Sequence, residues 1–175
     1  MRRALCILVI VALIASQVVA WPQEKAPTKK VPDGVYAVQR ESLTEKEVLP
    51  LRDGEVLLVH RHRYLKKGDS EPPRFLVVRF SPDVDLDLAA EPKAIKDEAE
   101  TVRILLKLQA KAATALERLT QDHVGRQVTI VVGGEVVTMH KVREVIKGGD
   151  VQITSCAAGA AEYLLDQLRA HHRNR

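Results

Sequence analysis

Between residues 34 and 108, apolar and polar residues alternate in short runs, at the period of two that sends successive side chains to opposite faces of a β-strand. The pattern predicts strands over Val35 to Val38, Glu55 to His62, Phe75 to Phe80, Val84 to Leu88 and Val102 to Leu108, with Arg52-Asp53-Gly54 and Glu71-Pro72-Pro73 as turns. Leu43 to Leu49 fits a single helical turn. The period then changes. Ala112, Leu116, Leu119 and His123 recur at helical spacing and predict a helix from Gln109 to Val124, with Gly125 as its left-handed cap. Gln127 to Val132 and Glu135 to His140 flank Gly133-Gly134, and two glycines between β-branched runs supply the positive φ angles of a tight hairpin turn. A two-residue turn sets Val132 opposite Glu135. Counting back pairs Ile130 with Val137 and Val128 with Met139 on one face, which is expected to be core. Gly148-Gly149 introduces a strand over Val151 to Thr154, and Ala161, Leu164, Leu165 and Leu168 form the stripe of a closing helix.

The order β-α-β-β-β-α in the C-terminal half predicts an α+β fold: a largely antiparallel sheet with two main helices packed on one face, and extra N-terminal strands. The expected organisation is a signal peptide over residues 1–20, a flexible tether over 21–33, an N-terminal β-rich lobe over 34–98, a second domain over 99–170 and a disordered tail over 171–175. Arg2 and Arg3 precede an apolar run from Ala4 to Ala15, and Val18-Val19-Ala20 fits the site where a signal peptidase cuts. Ser16 and Gln17 interrupt the run, and a comfortable membrane span needs about 20 apolar residues, so cleavage and export are expected; membrane association requires that the segment stay uncleaved. Cys6 lies too early in the run for a lipid attachment site.

Removing Arg2 and Arg3 halves the formal charge of +4 and leaves the chain nearly balanced. With aromatic residues at only 3%, stacking platforms for single strands are lacking, and nucleic acid is not an expected partner. Cys156 is the one cysteine outside the leader, so no intramolecular disulfide forms after cleavage, and it reads as a structural thiol. His60 and His62 fall on one strand face with Cα atoms about 6–7 Å apart, close enough to share a metal ion. No third ligand is near in sequence, and the plainer reading is an edge strand carrying solvated charge, continued by Lys66-Lys67-Gly68. His171-His172 stand in the tail. Asp83, Asp85 and Asp87 imitate the start of a calcium loop, but Leu88 and Ala94 occupy the glycine and glutamate positions; a half-buried strand with an acidic outer face explains them better. No nucleophile–base spacing, Walker loop or dinucleotide fingerprint is present, so no catalytic residue, cofactor site or metal site is assigned.

Ala115, Leu119-Thr120, Val124-Gly125-Arg126, Ile130-Val131, Gly134, Val136-Val137, Arg143-Glu144, Ile146, Gly148-Gly149 and Gln152-Ile153-Thr154 resemble the head part of the first periplasmic domain of SecD, a protein-export subunit. The resemblance covers Glu100 to Leu168. Met139-His140 and Val145 stand where the family carries prolines, and Ser155 stands where it carries a glycine. The resemblance implies a head that engages translocating polypeptide beside membrane helices that use the proton gradient. No further apolar stretch supplies such helices, so proton-coupled pulling is not expected of this chain alone. The expected function is a non-enzymatic, exported binding module whose partner is an unfolded polypeptide or an envelope protein, met through a groove or an exposed strand edge. Two alternatives stay open: an exported metal-binding protein using His60 and His62, and a thiol-dependent hydrolase pairing Cys156 with His123 or His140.

Overall fold

The computed structural model describes residues 30–61, 71–96, 102–155 and 158–173. The expected signal peptide, most of the tether, His62 and Cys156 lie outside the described residues. In chain order the elements are β1 (Gly34–Ala37), β2 (Arg40–Ser42), α1 (Glu45–Val48), β3 (Glu55–His60), β4 (Arg74–Arg79), β5 (Val84–Asp85), β6 (Lys93–Lys96), β7 (Val102–Lys107), α2 (Ala110–Asp122), β8 (Gln127–Val132), β9 (Glu135–Lys141), β10 (Asp150–Ser155) and α3 (Ala158–Arg173). The fold is α+β, and every strand pair is antiparallel.

The strands form three sheets, ordered β5-β1-β8-β9, β10-β7-β6 and β2-β4-β3. The first sheet is a wall between two cores. Val35 and Ala37 of β1, with Val128, Ile130 and Val132 of β8, face a large cluster that takes in Ile104 and Leu106 of β7, Ile153 of β10, Leu116 of α2 and Leu164 and Leu168 of α3. Tyr36 and Val38, with Val131, Val136 and Met139, face a second cluster with Leu58 of β3 and Leu76 and Val78 of β4. Because alternate residues of β1 and β8 are apolar on both sides, neither strand has a solvent face. The lobes expected over 34–98 and 99–170 are thereby interleaved: β1 pairs with β8, and β6 pairs with β7.

The hairpin departs from the expected register. Gly133 and Gly134 take φ of 64° and 82°, and Val132 faces Glu135 as predicted. A β-bulge between Ile130 and Val131 then pairs Ile130 with Thr138, and Thr129 with Met139, instead of Ile130 with Val137 and Val128 with Met139. The extra residue is Val137, which joins the large core while Val136 and Met139 line the other. The Thr129 hydroxyl donates to the Thr138 carbonyl beside the bulge at 2.8 Å.

The last residues of the expected tether are docked: Val31 is buried, the Tyr36 hydroxyl donates to the Pro32 carbonyl, and the Gly133 N–H donates to Asp33 Oδ1 at 2.8 Å. At the other end α3 runs through Arg173, so His171 and His172 are helical and not part of a disordered tail. Asp83 and Asp85 flank buried Val84, and Leu86 and Leu88 are buried as the alternation requires, though only Val84–Asp85 forms a strand and Leu88 a single antiparallel bridge to Leu108.

Candidate functional site

The segment from β9 to β10 is held at three places. Val142 is buried and exchanges backbone hydrogen bonds with the end of the α2–β8 connection, its N–H donating to the Arg126 carbonyl and its carbonyl accepting from Gly125. In the middle, the Ile146 N–H donates at 3.0 Å to the hydroxyl of Thr120, a buried residue of α2 whose own proton goes to the Leu116 carbonyl. At the far end the Leu108 N–H donates to the Gly149 carbonyl at 2.9 Å, and Lys107 Nζ reaches both the Gly148 carbonyl and the Asp150 carboxylate. Gly149 has φ of 74°, and a Cβ there would lie 2.5 Å from Cβ of Ala113 on α2. Only glycine allows this approach.

This pinned segment walls a groove of about 460 Å³ between α2, the β8–β9 hairpin and β10. Val35, Leu116, Val128, Ile130 and Val151 give it an apolar floor, and Lys141, Arg143, Glu144 and Asp150 a rim of both charges. On one side runs β10, which among the described residues pairs with a strand, β7, on one side only. The Leu108–Gly149 hydrogen bond fixes the phase of this ladder. Hydrogen-bonded pairs alternate in antiparallel sheets, so Val151 and Ile153 bond to β7, while the N–H and C=O groups of Gln152 and Thr154 point away from it. The groove therefore offers apolar contact beside an unused set of main-chain donors and acceptors.

His140 also lines the groove, with Nε2 2.8 Å from the Thr138 hydroxyl. Burial of part of the ring holds its pKa below the usual imidazole value, although the residue keeps an exposed side. Thr120 also lines the groove, and its hydroxyl proton goes to the Leu116 carbonyl. Together these groups offer non-covalent contact: apolar surface, charges of both signs and main-chain hydrogen bonding.

The other sequence candidates lie elsewhere. His60 is only 7% exposed, on the β3 face that carries Val56 and Leu58 into the second core, so it is not the solvated edge residue expected; its partner His62 lies outside the described residues. Among the described residues no three His, Cys, Asp or Glu side chains cluster as metal ligands. Asp83 accepts the Ala37 N–H at 2.7 Å, a structural role for one of the three aspartates. His123 donates from Nδ1 to the Leu119 carbonyl one turn back, and with Cys156 outside the described residues no thiol–imidazole pair can be placed. Sequence reasoning assigned no site residues, yet Arg143, Glu144, Ile146, Gln152 and Thr154, all within the quoted motif, line the groove. Their shared motif was the available signal.

Residues 63–171, more than half of the chain, match the family model described as SecDF, P1 head subdomain. The chain belongs to this family. The protein translocase subunit SecD of Acidaminococcus fermentans is 37% identical over 81 residues, covering 46% of this chain and 19% of that protein. The chain thus spans about a fifth of the length of that relative. Similar solved structures include a membrane component SecDF that enhances protein export, at TM-score 0.44 and 28% identity over 51% of this chain and 41% of that one. Another is the translocon-associated membrane protein SecDF from Thermus thermophilus, at TM-score 0.41 and 13% identity over 82% of this chain and 30% of that one. Membership rests on the family match. Of the departures from the P1 head pattern, His140 borders the groove and Val145 is half-buried in its wall segment.

Two outcomes test this P1 head site. Gly149→Ala and Gly54→Ala both place alanine at positive φ, which costs roughly 1–2 kcal/mol. Gly54 has nothing near its Cβ position, so Gly149→Ala is expected to cost about 1–3 kcal/mol more in urea unfolding, from overpacking against Ala113. For His140, a depressed folded-state pKa means that the unfolded chain takes up its proton first. Folding is therefore expected to weaken as pH falls below about 6.5, by less than about 1 kcal/mol given the exposed side, and His140→Gln to flatten that slope in pH-dependent melts.

Proposed function

We propose that this P1 head-family chain is a non-enzymatic binding module acting outside the cytoplasm, and that it holds extended, unfolded polypeptide in the groove and along the outer edge of β10. The observation that carries this reading is the pairing of an apolar floor with outward main-chain groups at Gln152 and Thr154. Main-chain pairing accepts many sequences, because every non-proline residue supplies the same donor and acceptor; the floor adds affinity for every second side chain. The mixed rim charges of Lys141, Arg143, Glu144 and Asp150 select neither acidic nor basic segments.

The relatives' names support a role in protein export: one is a protein translocase subunit, another enhances protein export. The leader-like residues 1–20 support a position beyond the inner membrane. Among the described residues no helix is long and apolar enough to cross a membrane. The reading for this chain is capture of polypeptide.

Binding of a permanently unfolded chain, a reduced and carboxymethylated globular protein carrying a fluorophore, tests the proposal by anisotropy. Association at tens of micromolar or tighter is expected. Thr154→Pro removes one outward N–H without touching a bond to β7, so it is expected to weaken binding by about three- to tenfold while the melting temperature holds. No association, or equal affinity in Thr154→Pro, would sink the reading.

A further inference from the structure

β10 divides its residues between two faces and between two edges, and the two divisions coincide. Val151 and Ile153 send their side chains to the core side, level with Leu106 and Ile104 of β7, and spend their N–H and C=O groups on that strand. Gln152 and Thr154 do the reverse. Their side chains are exposed on the far face, where Gln152 Nε2 donates to Thr154 Oγ1 at 3.4 Å, and their main-chain groups point away from β7. Val35, Val128 and Ile130, which floor the groove, belong to the core side. A strand laid against the outer edge of β10 inherits the same coincidence, because its side chains change face in step with its hydrogen bonds.

Resting on the reading of the groove as a polypeptide site, we infer that the bound segment runs antiparallel to β10 and is apolar at every second residue, with proline accepted at the apolar residues and rejected between them. In an antiparallel ladder the residues opposite Gln152 and Thr154 exchange both main-chain bonds with them, so each must carry an N–H. Their side chains stand on the exposed face beside two polar neighbours. The residues opposite Val151 and Ile153 turn their side chains to the apolar floor and their N–H groups away from β10, so an N–H missing there takes no bond from this edge. A parallel strand inverts the requirement. Its donors to Gln152 and Thr154 come from the flanking residues, the same ones whose side chains meet the floor, and proline is then rejected where apolar residues belong. Antiparallel pairing is the slightly more stable of the two per residue, and it is the pairing of every ladder among the described strands. The class of segment that fits is the amphipathic, β-type stretch of an unfolded chain, including proline-bearing stretches that a central strand of a sheet excludes.

N-methylation of a peptide removes a donor as proline does and leaves the side chains in place. Three fluorophore-tagged peptides share one sequence of alternating valine and serine between lysines: one unmethylated, one methylated on every valine nitrogen, one on every serine nitrogen. Their binding to the whole chain is compared by anisotropy. The valine-methylated peptide is expected to bind within about threefold of the unmethylated one, and the serine-methylated peptide more than about tenfold more weakly, having lost its main-chain bonds to Gln152 and Thr154. Equal weakening by both patterns, weakening by neither, or the reverse order overturns the inference and leaves capture of polypeptide standing, since the unmethylated peptide still binds. An unmethylated peptide that fails where the carboxymethylated protein binds overturns it as well. Failure of both probes removes the groove reading itself, and the inference with it.

Discussion

The bulge between β8 and β9 is the local feature from which the architecture follows. A regular hairpin would alternate its side chains strictly, and the adjacent Val136 and Val137 would then fix one register for the whole length of both strands. One extra residue instead turns Val137 and Thr138 together toward the side of Ile130, while Val136 and Met139 serve the opposite side. The strand can thus feed two cores. Thr129, wholly buried, covers the disturbed ladder by giving its hydroxyl proton to the Thr138 carbonyl, so the bulge leaves that buried acceptor satisfied.

A sheet with no solvent face has to be covered on both sides, and the remainder of the chain does this. On one side lie α2, α3 and β10-β7-β6, on the other α1 and β2-β4-β3. The groove is where the first covering stops short. Between β9 and β10 the chain passes over α2 as an irregular segment, and its ties to Arg126, Thr120 and Leu108 keep it from closing over Val128 and Ile130. The opening left in the core is bordered by main-chain groups of β10 that β7 does not use. On the proposed reading, that combination suits an extended peptide better than a small ligand.

Much of this was legible in the sequence because the strongest periodic signals are those that packing reinforces. The α2 and α3 stripes and the alternation of Val84, Leu86 and Leu88 correspond to buried faces, and the glycine pair of the hairpin to its turn. What failed was anything set by long-range pairing. The bulge adds one residue without a composition cue, and β2 and β6 are short and exposed, so Lys93 to Lys96 reads as solvated chain. Asp33 sits in a proline-rich stretch and His171 beyond the last apolar residue of its stripe, so both resembled loose ends until the fold joined them. His60 failed for a related reason: β3 is the edge strand that was expected, but the face bearing His60 turns toward the second core and not toward solvent. The groove residues were visible only as a motif, since their convergence depends on where α2 and β10 meet.

Residue-resolved amide exchange with and without an unfolded chain reports whether a polypeptide adds to the outer edge of β10, as proposed. In the free protein Val151 and Ile153 should exchange slowly, and Gln152 and Thr154 fast, following the phase set by Leu108 and Gly149. With the unfolded chain bound, Gln152 and Thr154 should become protected while Val151 and Ile153 hardly change. Protection that appears elsewhere on the fold, with Gln152 and Thr154 still exchanging at their free rates, would contradict the account.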